Sequence, residues 1–70
     1  MSKNKYIAEM VPLVRERVED EPTRVLDIVR SIQAEHVAEP QYIVSAMWEL
    51  VEDEGYVYDA GGYLSKPHLD

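Results

Sequence analysis

At Gly55 the hydrophobic pattern changes period, and that change constrains the fold more than any other feature of the chain. Before it, Ile43, Val44, Met47, Trp48, Leu50 and Val51 recur at helical spacing, with Gln41, Tyr42, Ser45, Ala46, Glu49, Glu52 and Asp53 on the opposite arc. Pro40 suits the first helical position, where a missing N–H costs nothing. Gly55 suits the stop, because glycine takes the left-handed conformation without a Cβ penalty. After it the period is two. Tyr56-Val57-Tyr58 and Tyr63-Leu64-Ser65 flank Asp59-Ala60-Gly61-Gly62, which reads as a β-hairpin. A two-residue loop at Gly61-Gly62 and a four-residue loop both place Val57 and Leu64 on one inward face, with Tyr56, Tyr58 and Tyr63 opposite. Tyr56, directly after the helix stop, is the tyrosine expected in the core.

Upstream, Ile7, Met10, Val11, Val14 and Val18 also recur at helical spacing, interrupted by Pro12. A helix starting near Ala8 would put that proline in the first turn, where it removes no helical hydrogen bond. Glu19-Asp20-Glu21-Pro22 ends the run. A second helix is expected from Pro22-Thr23 to about Glu35, with Val25, Leu26, Ile28, Val29 and Ile32 as its apolar stripe and Arg24 and Asp27 close enough to pair. Residues 36–39 form the turn into Pro40. The expectation is an α+β fold, mostly α: three helices followed by a two-stranded hairpin, in a single domain over residues 1–70. Residues 1–5 and 66–70 are expected to be frayed tails.

Composition narrows the chemistry. Seventy residues bury only about 60% of their unfolded surface, so the core is small. There is no cysteine, which excludes disulfides and thiolate metal sites and fits a reducing compartment. No apolar run reaches the ~20 residues of a membrane span. A cytoplasmic location without membrane contact is expected. Fourteen acidic against seven basic residues give a net charge of −7, which disfavours non-specific attraction to phosphate or anionic lipid.

Three helices followed by a glycine-stopped hairpin resemble the winged helix-turn-helix family. The residues that carry the resemblance are Leu50-Val51-Glu52-Asp53-Glu54-Gly55-Tyr56-Val57, then Gly61-Gly62-Tyr63-Leu64-Ser65, with Ala34, Val44 and Met47 at helix-turn-helix core positions. Where that family favours a turn glycine, this chain has Ala38. The resemblance implies that the third helix enters a DNA major groove and the wing touches backbone or minor groove. Carried over, it points Gln41, Tyr42 and Ser45 at bases, in a dimeric transcriptional regulator. Yet phosphate contacts require Lys or Arg, and none occurs from Pro40 to Ser65. The cations are Lys3, Lys5, Arg15, Arg17, Arg24, Arg30 and Lys66. A DNA surface would therefore rest on Arg24 and Arg30.

The aromatic residues support a different use. Tyr42, Trp48, Tyr58 and Tyr63 either cover the small core or form one exposed patch for a protein partner, with Glu49, Glu52 and Asp59 as an acidic rim. The same patch can close a homodimer. Glu49, Glu52, Asp53 and Glu54 read as a solvated helix end or an anionic surface, and lack the spacing of a calcium loop. His36 with Glu39, and His68, are too sparse for a metal set. Gly61-Gly62 precedes no helix, so it forms no phosphate loop. No nucleophile has a histidine at suggestive spacing, and no cofactor is expected. The reading is a non-enzyme: an acidic module that binds a protein and modulates a transcription or DNA-processing complex. The alternative is the dimeric DNA-binding regulator.

Overall fold

The protein is described by a computed structural model over residues 4–67; the tail positions 1–3 and 68–70, His68 and Lys3 among them, lie outside the described residues. Helix α1 spans Lys5–Arg17, β1 Thr23–Arg24, α2 Val25–Glu35, α3 Pro40–Glu54, β2 Val57–Tyr58 and β3 Tyr63–Ser65. The α+β, mostly α expectation holds, with one strand more than expected. The sheet is antiparallel, in the order β1-β3-β2.

Helix α1 starts earlier than its proline suggests. The Asn4 side chain accepts a hydrogen bond from the Tyr6 N–H at 2.8 Å, which satisfies one of the unpaired donors of the first turn. Residues 4 and 5 are thus part of a capped helix rather than a frayed tail. Pro12 lies inside the helix, where it gives no N–H to the carbonyl of Ala8. Burial of Met10, Val14 and Val18 along one face offsets that loss.

The second correction concerns β1. Residues 18–22 wrap around the Thr23 hydroxyl, which accepts from the Glu19 N–H at 3.0 Å and donates to the Glu21 carbonyl at 3.1 Å. Thr23 and Arg24 then pair with Leu64 and Tyr63 of β3. Helix α2 therefore begins at Val25 and not at Pro22-Thr23. Its Arg24 N-cap makes no side-chain capping bond. Instead, the Val25 N–H donates to the carbonyl of Gly62 in the hairpin turn at 2.9 Å. Arg24 consequently sits in a strand, and no ion pair joins it to Asp27 among the described residues.

Helix α3 matches the sequence reading at both ends. Pro40 is its first residue, and Gly55 closes it in the left-handed conformation (φ 78°). The N–H groups of Gly55 and Tyr56 both return to the Leu50 carbonyl. The core is one cluster drawn from all three helices and the sheet. Ile32, Ile43, Leu50, Leu64 and Val14 are its largest fully buried side chains. Ala46, placed by sequence on the polar arc of α3, is fully buried, and Tyr56 is buried as expected. Packing into the core cluster rather than hydropathy decides that position. Leu26, by contrast, leaves the apolar stripe of α2 and is half-exposed.

The hairpin register corrects Val57. Val57 pairs with Ser65 and Tyr58 with Leu64. The loop therefore holds three residues, 60–62. Gly62 N–H donates to the Asp59 carbonyl at 3.0 Å, and Gly62 itself has φ 88°, the pattern of a turn closed by a left-handed residue. Loops of two or four residues would have shared one parity; a loop of three reverses it. Leu64 stays buried, but Val57 turns outward and is 46% exposed. Val57→Ser is therefore expected to change stability by no more than about 0.5 kcal/mol, read from a denaturant titration. A loss of several kcal/mol would restore Val57 to the core.

Candidate interaction surface

The rings expected to share one patch are divided among three places. Tyr42 stands at the first turn of α3 against Tyr6 of α1, with ring centroids 5.6 Å apart. Trp48 lies six residues further on, about 9 Å along the helix and about 120° around it. It meets Tyr58 of β2 edge-on, at 5.1 Å between centroids. Tyr63 of β3 faces Arg24 of β1, whose guanidinium carbon is 5.8 Å from the ring centroid. Tyr42 therefore does not join Trp48, and the single patch containing all four rings is not formed.

A smaller surface remains. Trp48 is 42% exposed and Tyr58 39%. Tyr58 also lines an open hollow of about 490 Å³ with Arg24, Leu26, Gly62 and Tyr63. Trp48, Tyr58, Leu26 and Tyr63 thus follow one another from α3, across the hairpin, to the start of α2. Three of these, Trp48, Tyr58 and Tyr63, are foreseeable as interface residues from their chemistry, since tryptophan and tyrosine bury large areas with few rotatable bonds. Leu26 is not, because its helical phase reads as core. Val57 adds a further exposed apolar side chain on β2.

The charged neighbours are arranged differently from the sequence expectation. Asp59 does not simply project from the hairpin turn. Its carboxylate accepts the N–H of Gly61 at 2.8 Å and that of Tyr63 at 3.3 Å, so it braces its own turn. Glu49 is half-buried on α3, whereas Glu52 is exposed. Arg24 donates weakly to the Tyr63 hydroxyl at 3.4 Å. That hydrogen bond first, then electrostatic attraction to Tyr63 and Asp27, raise the Arg24 pKa above its ordinary value. The guanidinium is fixed beside an aromatic face and stays fully charged.

The remaining cations sort into two groups. Arg15 forks onto Glu54, joining the ends of α1 and α3, and this hydrogen bond raises its pKa. Arg17 bridges α1 and α2 by donating to Ser31 Oγ at 3.0 Å and Glu35 at 2.7 Å, and it also donates to the Leu13 carbonyl of its own helix at 3.2 Å. Lys66 reaches Asp20 at 3.2 Å. Arg30 is exposed on α2 and makes no ion pair among the described residues. Of the side chains assigned to bases, Gln41 is exposed but one amide proton goes to Glu39 at 3.0 Å. Ser45 is half-buried, and Tyr42 is held by Tyr6.

No group of His, Asp or Glu among the described residues is placed to hold a metal ion. No helix among them is long and apolar enough to cross a membrane. No family model, no curated protein and no solved structure matches this chain.

Proposed function

We propose that this chain is a non-catalytic, acidic, winged-helix-like module that binds a protein partner through Trp48, Tyr58 and Leu26, and so modulates a transcription or DNA-processing complex. The observation that carries the reading is the Trp48–Tyr58 pair. Two large rings lie edge-on at 5.1 Å yet keep about two fifths of their surface in water, beside a half-exposed leucine. Aromatic side chains clustered in this way are the usual anchors of interfaces. The order of three helices and then a glycine-stopped hairpin supports the winged-helix part. Net charge favours a basic partner, which the acidic α3 end would steer and not anchor.

A second reading, a dimeric DNA-binding regulator, draws on Arg24 and Arg30. Neither is consumed by an ion pair among the described residues. Against it, α3 and the hairpin supply no cation from Pro40 to Ser65, so counterion release from phosphate would be slight.

One set of measurements separates the two. Particle mass in solution and binding to short duplex DNA are recorded across salt. Partners retained by the native chain are then compared with those retained by Trp48→Ala and Tyr58→Ala, with thermal melts confirming that both variants fold. Loss of a central aromatic anchor should weaken partner association or self-association by about 30-fold or more, while DNA is not retained at ~0.15 M salt. Tight DNA binding that disappears in Arg24→Ala with Arg30→Ala would replace the first reading with the second.

A further inference from the structure

A second hollow, of about 440 Å³, opens between the start of α1 and the turn before α3. It shares no residue with the Trp48–Tyr58 surface and does not rest on that reading. Its wall is the Tyr6–Tyr42 ring pair, tilted by 32° at 5.6 Å between centroids. Glu9, Glu39, Val37 and Ala38 also line it. Three of its lining side chains keep surface or charge open to solvent. Tyr6 is 53% exposed. Val37 is fully exposed, though apolar. Glu9 makes no ion pair among the described residues.

We infer that this hollow is a docking site for an arginine side chain of a basic protein segment. The chemistry is complementary at each point. A tyrosine face attracts a cation through its quadrupole. The chain's own Lys5 shows this at the same ring, with Nζ 5.6 Å from the Tyr6 centroid. The ring pair is too close to admit a group between its members, so it offers a flat wall and not an enclosing cage. A planar guanidinium can lie on such a wall while its edge donates to a carboxylate in a fork; a compact ammonium has no equivalent geometry. Two carboxylates line the hollow, Glu9 from α1 and Glu39 from just before α3. Val37 and Ala38 meet the aliphatic stem that an arginine buries along apolar surface. The volume falls within the ~300–1,000 Å³ of ligand-binding clefts. A net charge of −7 draws basic segments toward the chain.

The test uses the full chain and a capped eight-residue Gly/Ser/Ala peptide with one central arginine, against the same peptide with glutamine at that position. NMR titration follows the ring resonances of Tyr6 and Tyr42, the amides of Val37 to Glu39 and, as an internal reference, the indole N–H of Trp48. The arginine peptide should give saturable shifts at the tyrosines and the 37–39 turn while the indole signal stays in place. The glutamine peptide should give none. Glu9→Gln combined with Glu39→Gln, two exposed and isosteric changes checked for folding by thermal melt, should weaken the response at least tenfold. The proposal is overturned if the arginine peptide produces no saturable shift, if the glutamine peptide matches it, or if the shifts spread evenly over the acidic surface. A response that survives both carboxylate substitutions overturns it as well.

Discussion

Leu50→Ala is expected to destabilise the chain by ~2–5 kcal/mol, the range for deleting a buried leucine side chain and leaving part of the cavity behind. Leu50 is wholly buried, in the same cluster as Ile32, Ile43, Val14 and Leu64. Every one of those belongs to a different element, apart from Ile43 on α3 itself, so one cavity would loosen several packing layers at once. A chain of 70 residues has a total stability of roughly 4–10 kcal/mol. The loss is a large share of that total, so the unfolding midpoint should fall clearly. The check is a denaturant titration followed by circular dichroism, with Leu26→Ala as the comparison. Leu26 has the same side chain at a half-exposed site and should cost much less. Equal midpoints for the two variants would remove Leu50 from the core and shift the phase of α3.

Gly55→Val is expected to cost ~1–3 kcal/mol, the usual penalty for forcing a non-glycine residue into a sparsely populated backbone region. Gly55 has φ 78° and ψ 15°, and a β-branched side chain is the poorest fit there. Space is not the obstacle. A Cβ at this position would meet only the Pro67 Cβ at 3.6 Å, an ordinary contact. The cost is therefore conformational, and it falls where the chain reverses from α3 into the hairpin. Ala60→Val is the control, since Ala60 is exposed and no described residue other than glycine has positive φ. That change should stay within about 0.5 kcal/mol. Equal losses in thermal melts would mean that the left-handed stop is not what holds the hairpin against the helix.

The candidate surface was legible in its chemistry and not in its grouping. Trp48 and Tyr58 stand out because large amphipathic rings at the edge of an apolar arc or on a hairpin strand need either a cover or a partner. Tyr42 was grouped with them because helix position alone does not reveal what stands opposite. Tyr6 occupies that place, and it is positioned by the Asn4 cap. Asn4 two residues before a tyrosine is a helix-start signal, and reading it would have extended α1 and brought Tyr6 into view. Leu26 could not have been separated from its stripe, since its exposure depends on where the hairpin turn lies.

Sequence alone determined the features that are settled within a few residues. Pro40 and Gly55 bound α3 because their backbone restrictions are their own. Met47 and Leu50 face inward because a continuous apolar arc at helical spacing has only one way to be covered. Tertiary structure decided the rest. A two-residue strand such as β1 has no periodicity to read, and it exists because Thr23 and Arg24 meet Leu64 and Tyr63 some forty positions away. The start of α2 is set by the Gly62 carbonyl accepting the Val25 N–H. The outward turn of Val57 is set by whether the loop holds an odd or even number of residues, and the Asp59 carboxylate, folded onto the N–H groups of Gly61 and Tyr63, holds it at three. For β1 and the start of α2 the deciding hydrogen bonds form only once the chain has closed, so their free energy is absent from any local window of sequence; the Asp59 turn is local, but the residue pattern alone does not separate a loop of three from one of two or four.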